Sequence, residues 1–416
     1  MSEFDRIIGY EKVKNELMQI CDMLKNPELY AKLGAKMSHG LLIDGEPGLG
    51  KSLMAKCLMK ECGRNSYIVR RNKPNGDFID ELREVFATAA ENAPSVILLD
   101  DMDKFAAEER NDEEYIAVQA CIDEVKEKSV YIIATANNLH DIPDSLLRSG
   151  RFDRKITVEA PKGDEAIRII EHYLSTKIIA DDLNIIDVSK MLKGCSCADL
   201  ETVINEAAIL AAYERCDKIY MRHIVESVMR NNYCVEKMTG TVDSQKLERI
   251  ACHEAGHTVA YELMHQGGIG LACINYGGDG GRGFVIRYSE CSGEENIMMS
   301  LAGRAAVDLI YGENDEGAAS DLERAMRSVS VRVCDKGMNG LHLLEINHIR
   351  GAKSESQMSQ QEGVIYAEVE RYYEKTKKLL AANKGFLIAV TNALIKKNLL
   401  LSSDIEKIRE SKVYNN

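Results

Sequence analysis

The stretch that most limits how this chain can fold is LLIDGEPGLGKSLMAK, from Leu41 to Lys56. An apolar, strand-like run stops at Asp44, a glycine-rich turn follows, and a helix-period pattern begins at Lys51. Gly45 to Ser52 fits G-x-x-x-x-G-K-[ST], the phosphate-loop pattern. Glycines let backbone N–H groups approach phosphate oxygens, and the helix that follows presents its positive end. The candidate nucleotide-binding run is therefore Gly45, Glu46, Pro47, Gly48, Leu49, Gly50, Lys51, Ser52 and Leu53. In it Lys51 reaches the β- and γ-phosphates of ATP and Ser52 ligates Mg2+.

Such a loop belongs in a parallel sheet, and the first 160 residues supply the strands. HGLLID, SYIVR, SVILLD, VYIIATA and KITVEA are short and β-prone, and they alternate with helix-period segments. That predicts an α/β layer structure over 1–160. After Pro161, DEAIRIIEHYLSTK, ADLETVINEAAILAAYERC and MRHIVESVMRNN predict a small helical bundle over 161–235. EKMTGTVDS, 236–244, reads as a linker, and 245–416 is mostly helical. One interruption, ACINYGGDGGRGFVIRY, predicts a hairpin around a glycine-rich turn.

Composition narrows the class. A chain of 416 residues is longer than one core usually spans. Its net charge of −13 disfavours a general nucleic-acid role, which needs a basic face. The 12 cysteines are scattered singly, with Cys195 and Cys197 the nearest to a pair, and MSEFDRIIGY is no signal peptide. Reduced thiols in a cytosol are expected. No apolar run approaches the ~18 residues of a membrane helix, so no bilayer crossing is expected within this chain.

The loop has chemical company. SVILLDDMD ends a buried strand in two acids, with Asp100 placed to hold the Mg2+ water shell and Asp101 to orient the attacking water. Asn137, ending IIATAN, reads equally as a turn residue or as a second water-positioning group. Arg148 and Arg151 in LLRSGRFDRK lie on a polar turn, where arginine supplied in trans can stabilise a transferring phosphoryl group. Taken alone, they read as solvated surface arginines.

A second motif lies far downstream, RIACHEAGHTVAYEL from Arg249 to Leu263. On a helix, positions i and i+4 share a face, so His253 and His257 can aim two imidazoles at one Zn2+. Glu254, one step round, can take a proton from water. The nearby acids that could complete the ligand set are Glu262, Asp308, Asp315, Glu316, Asp321 and Glu323, and local chemistry does not choose among them.

FDRIIGYEKVKNEL, LKNPELYAKLGAK, the glycine loop, NAPSVILLDD and LLRSGRFDRK together resemble the AAA ATPase module of FtsH-type ATP-dependent zinc metalloproteases. GCSCADLETVINEAA is similar to that family's lid helix, and the resemblance runs from Phe4 to about Ile408. It implies an α/β AAA P-loop ATPase domain with a helical lid, then a mainly α-helical zinc peptidase domain. It implies that Ile8, Gly9 and His172 form an adenine pocket, though His172 also fits a plain helix face, and that Ala198 faces nucleotide. Arg148 and Arg151 would reach the neighbouring subunit's nucleotide. IMMSLAGRAAVDLIYGENDEGAASDLERAMRSV is similar to the family segment whose aspartate completes the metal site; the matching residue is Asp321, with Asp308 behind the ligands. The implied activity is ATP-dependent zinc endopeptidase action on protein and peptide substrates by a homo-hexamer of stacked ATPase and protease rings. The glycine hairpin near Gly277 to Gly283 offers an edge for substrate to pair with.

The chain departs from the family in places. Members usually begin with membrane helices, whereas here Met1 lies just ahead of the ATPase motif; the chain reads as cytoplasmic, or as the cytosolic portion of a membrane-anchored protease. The pore-loop triplet that grips substrate falls on Pro74, Asn75 and Gly76, which lack the aromatic; Phe78 is the substitute at hand. Asp101 stands where a glutamate is usual, and the Asp-Gly-Phe ending of an intersubunit segment is absent near Glu124 to Glu127. Slow or unusually coupled hydrolysis is expected. Two further readings stand beside the leading one: an ATP-driven remodelling or scaffold ring with weak or no processive proteolysis, and a peptidase of loosely folded chains whose nucleotide only holds the ring together.

Overall fold

The apolar runs of the first half become parallel strands. β1 (Gly40–Asp44), β2 (Asn65–Arg70), β3 (Ser95–Asp100), β4 (Val130–Ala136) and β5 (Arg154–Thr157) form one sheet in the order β2-β3-β4-β1-β5, with every pairing parallel. β1, β3 and β4 are buried from end to end, as continuous Leu/Ile/Val runs require, while the edge strands β2 and β5 keep exposed positions. The glycine loop leaves the C-terminal end of β1, the ligand-binding end of a sheet wound this way. This is a computed structural model, and it describes residues 2–36, 38–72, 75–106, 112–148, 150–237, 243–274, 276–277, 283–288, 291–313, 319–335 and 355–411.

Two compact units divide the chain: Met1–Ile179 with Gly194–Ile209, and Ala180–Lys193 with Leu210–Asn416. The first holds the sheet with α1 (Glu11–Lys25), α2 (Pro27–Lys32), α3 (Lys51–Glu61), α4 (Asn75–Glu91), α5 (Asp112–Glu124) and α6 (Asp164–Leu174). Its core is aromatic, with Phe78, Phe86, Phe105 and Phe152 fully buried. Phe78 corrects an expectation. It points inward from α4 against Phe105, ring centroids 5.0 Å apart, and is 0% exposed, so it cannot stand in for the missing pore aromatic. Pro74 lies outside the described residues, and Asn75 and Gly76 begin α4.

The second unit takes α7 (Ile185–Met191), whereas α8 (Cys197–Tyr213) crosses the division; α9 (Met221–Tyr233) follows it. Then come α10 (Ser244–Met264), α11 (Gly293–Tyr311), α12 (Ala319–Ser330), α13 (Glu355–Ala382), α14 (Lys384–Lys397) and α15 (Ser402–Glu410). α10 is central, packed on α11 and α14, and Ala251, Ala255, Val259 and Tyr261 along it are wholly buried. The expected hairpin forms as β7 (Ile269–Cys273) against β9 (Phe284–Arg287). Most of its glycine turn lies outside the described residues, as do Asp315, Glu316 and most of the segment read as a linker. β6 (Glu236–Lys237) pairs with β8 (Tyr276–Gly277), and β10 (Leu399–Leu401) joins β7 on the side away from β9. β10 was not expected, because three leucines after a helix have no period that separates strand from helix. Buried Asp187 on α7 accepts from the Ser403 N–H at 3.0 Å and Oγ at 2.6 Å, which fixes α7 to the start of α15. Among the described residues no single helix is long and apolar enough to cross a membrane.

Candidate functional sites

The glycine loop is shaped by close approaches. Gly48 has φ +79°, and a Cβ there would stand 2.6 Å from Ser196 Oγ and 2.9 Å from Ala198 Cβ. Ala198 N–H donates to the Gly48 carbonyl at 3.1 Å, so the start of α8 closes on the loop. Lys51 opens α3 and is nearly buried; Nζ donates to the carbonyls of Gly45 and Glu46 at 2.6 and 2.7 Å and to Asn137 Oδ1 at 2.9 Å. Burial lowers its pKa against the pull of Asp101 and the other acids nearby.

Next to it, Ser52 Oγ donates to Asp100 Oδ1 at 2.6 Å, and Thr135 Oγ1 donates to the same oxygen at 2.8 Å. Arg70 donates to Oδ2 at 2.6 Å. Burial works to raise the Asp100 pKa, but the two hydroxyls and the guanidinium outweigh it and leave the carboxyl below its ordinary value. A buried carboxylate against a serine hydroxyl is the hard-oxygen set that Mg2+ takes. Asp101 lies at φ +57°, its N–H donating to Thr135 Oγ1 at 2.9 Å and its Oδ2 accepting from Lys104 at 2.7 Å. Asn137 bridges Lys51 and Asp103, its Nδ2 donating to Asp103 Oδ2 at 3.3 Å. Arg70 and Thr135 were not singled out from sequence. Arg70 faces Asp100 only through strand register, and that is not visible in one dimension.

Beside the loop is a cavity of about 360 Å3. Ile8, Gly48, Leu49, Gly50, Leu53, His172 and Ala198 line it, as do Tyr10, Tyr173 and Cys197, which sequence reasoning missed. Its mostly apolar and aromatic wall suits a flat heterocycle. Gly9 is not in the wall; at φ +69° it turns the backbone against Glu165 and Ile169. Tyr10 is held by donation to the Glu159 carbonyl at 3.1 Å. Arg148 is exposed, while Arg151 pairs with Asp123 on α5 at 2.7 Å and donates to the Ser145 carbonyl at 2.7 Å; neither lines the cavity.

In the second unit, α10 presents His253 and His257 on one face, and Asp321, in the first turn of α12, meets them. The two Nε2 atoms are 3.0 Å apart, and Asp321 Oδ2 lies 3.0 Å from the first and 3.1 Å from the second. Met299 O on α11 is 2.7 Å from His257 Nδ1. A carbonyl can only accept, so the His257 proton sits on Nδ1 and Nε2 keeps its lone pair. A carboxylate oxygen and imidazole lone pairs that converge this closely repel one another unless a cation lies among them, so the donor set fits Zn2+. Burial works to raise the Asp321 pKa, the two imidazoles lower it, and the imidazoles win. Arg324 donates to the other Asp321 oxygen.

Gly303 on α11 supports the ring of His253: a Cβ there would stand 2.6 Å from both ring nitrogens. Glu254 is buried one step round from the pair, against the backbone of Gly283. Of the other acids weighed, buried Glu262 accepts from the N–H groups of Gly267 and Ile269 and pairs with Arg409, away from the two histidines. Asp308 does not stand behind the ligands: it accepts from Tyr373 and Lys377 on α13, both at 2.6 Å, and the ligand-orienting bond comes from Met299 instead.

Fold and sites together define a P-loop ATPase module followed by a helical domain with a His-Glu-x-x-His metal cluster. Known families match in the same order. The model of the ATPase family associated with various cellular activities (AAA) matches 41–160, the AAA+ lid domain 182–226, and peptidase family M41 282–408. The chain is 32% identical to the ATP-dependent zinc metalloprotease FtsH of Helicobacter pylori over 82% of its own length and 58% of that protein's. It is 30% identical to the FtsH of Helicobacter felis, covering 98% and 69%, and 30% identical to that of Mycoplasma pneumoniae, covering 98% and 62%. The chain belongs to the FtsH-type AAA zinc metalloprotease family.

Proposed function

We propose that the chain is an ATP-dependent zinc endopeptidase that unfolds protein substrates and cuts them, working as a homo-hexameric ring. The observation that carries this is the convergence of His253 Nε2, His257 Nε2 and Asp321 Oδ2, three donors held 3.0–3.1 Å apart next to buried Glu254. When bound, Zn2+ supplies the Lewis acidity that makes water nucleophilic near neutral pH. Glu254 takes a proton from the attacking water and passes it to the leaving amine. β9 is one of the two outer strands of its sheet among the described residues, and its outer edge holds an extended peptide alongside.

In the ATPase unit, Lys51 and the loop N–H groups hold the phosphates, and Ser52 and Asp100 hold Mg2+. Asp101 and Asn137 orient water, while the wall with Ile8, His172 and Ala198 takes the base. Arg148, exposed on its turn, acts on a neighbouring subunit's nucleotide, and so does Arg151 once released from Asp123. The free thiols of the eleven cysteines whose side chains are described support a reducing, cytoplasmic location.

The test is degradation of a stably folded substrate with and without ATP. Glu254→Gln should abolish cleavage and keep zinc; Lys51→Ala should abolish cleavage of the folded substrate. Cleavage of it by Lys51→Ala at the wild-type rate sinks the reading. The buried Phe78 favours one alternative, a remodelling or scaffold ring with a weak grip. In that case a casein-type chain is cut poorly or not at all with ATP, and ATP hydrolysis persists.

A further inference from the structure

One side-chain cluster in the second unit takes no part in either site. His265 follows the last residue of α10, Cys291 lies just before α11, and Glu295 sits in its first turn. One ligand atom from each falls within 4.8 Å of the others. His265 Nε2 is shielded from solvent and lies 3.2 Å from Glu295 Oε2, the polar group set against it. Glu295 is fixed by the capping box, with the Ser292 N–H donating to Oε2 at 2.6 Å, and carboxylate lone pairs remain for another contact. Burial, with the Glu295 carboxylate, raises the Cys291 pKa despite the Tyr261 hydroxyl and the Arg287 guanidinium bonded to the sulfur, so the thiol is neutral until a bound cation deprotonates it.

A second cluster, Glu214, Cys216 and His223, looks similar by residue type but fails. There the Tyr220 N–H donates to His223 Nδ1, which places the ring proton on Nε2, the nitrogen facing Glu214. That ring turns no lone pair toward Glu214 and Cys216, and Glu214 is already paired with the Arg222 guanidinium at 2.8 Å.

We propose that His265, Cys291 and Glu295 form a second divalent-cation site, of the zinc class, that pins the end of α10 to the start of α11. An imidazole, a thiolate and a carboxylate are the mixed N/S/O set of Zn2+ and Co2+, and a 2+ ion balances the two anionic ligands. The placement gives the ion a task. α10 carries His253, Glu254 and His257, and α11 carries Met299 and Gly303, which orient and support those histidines. An ion between the helix ends would hold these two helices in register. The inference does not depend on the peptidase reading.

The test is Co2+ substitution of the full chain, read by elemental analysis and absorption. About two ions per chain are expected, with thiolate-to-cobalt charge transfer in the near ultraviolet. The His253, His257 and Asp321 set contains no sulfur and gives none of that absorption. Cys291→Ser and His265→Ala should each remove the band and one ion; His257→Ala should remove the other ion and leave the band. Should Cys291→Ser lose its circular dichroism, Glu295→Gln serves instead, since glutamine still caps α11, and it should weaken Co2+ binding at the band at least ~10-fold. A wild-type chain without the band, or a band that survives Cys291→Ser or keeps its affinity in Glu295→Gln, overturns the proposal.

Discussion

Asp101 and Asp100 are neighbours with opposite surroundings. Asp100 is buried under two hydroxyls and a guanidinium; Asp101 is turned by its positive φ toward Lys104. A carboxylate one methylene short of the water it must orient, by ~1 Å, loses on the order of 10²-fold in rate. Asp101→Glu should therefore raise steady-state ATP turnover, and an unchanged or lower rate would count against the assigned role. Asp100 yields a pH prediction. Its folded pKa is depressed below an unfolded value of about 3.9, so its contribution is fully present above that value and is lost as pH falls through the folded one. Arg70→Gln should bring the folded pKa back toward the unfolded one. Urea midpoints of the ATPase unit should then fall less steeply below about pH 4 in the variant than in the wild type.

At the scale of elements, the metal cluster is a product of three helices. α10 supplies two imidazoles and α12 the carboxylate, while α11 supplies a carbonyl and a gap. The gap is Gly303. Alanine is favoured over glycine in a helix by about 1 kcal/mol, which offsets part of the cost of moving a buried ring, so Gly303→Ala should keep the helix content and unfold cooperatively near the wild-type temperature. Its methyl, 2.6 Å from the His253 ring nitrogens, would drive that ring aside. Zinc affinity should fall at least ~10-fold with ATP turnover unaffected, measured by metal-buffer titration. Retained affinity would mean that α11 does not set the ring position.

For the whole molecule, two units with separate cores predict two responses to ligand. A ligand stabilises the unit that binds it, by RT ln(1 + [L]/Kd). In calorimetry, ATP-Mg2+ should raise one transition and chelation of zinc should lower the other. A single transition that moves equally with both ligands would show instead that the units unfold as one.

Much of this was legible in one dimension because the relevant chemistry is local. The phosphate loop needs its glycines, lysine and serine adjacent in the chain, and His253 and His257 need only one helical turn, so both patterns survive without any knowledge of the fold. The strand runs were legible too, because a buried parallel strand is apolar along its whole length. Tertiary structure decided everything that joins distant residues. It aligned Arg70 with Asp100 by register, closed Ser196 and Ala198 onto Gly48, and chose Asp321 over Glu262 and Asp308 as the acid meeting the two histidines. It also turned Phe78 into the core and left it unable to grip. The reason is common to all of them: periodicity tells which residues share a face, but which faces meet depends on the packing of whole helices and strands against one another.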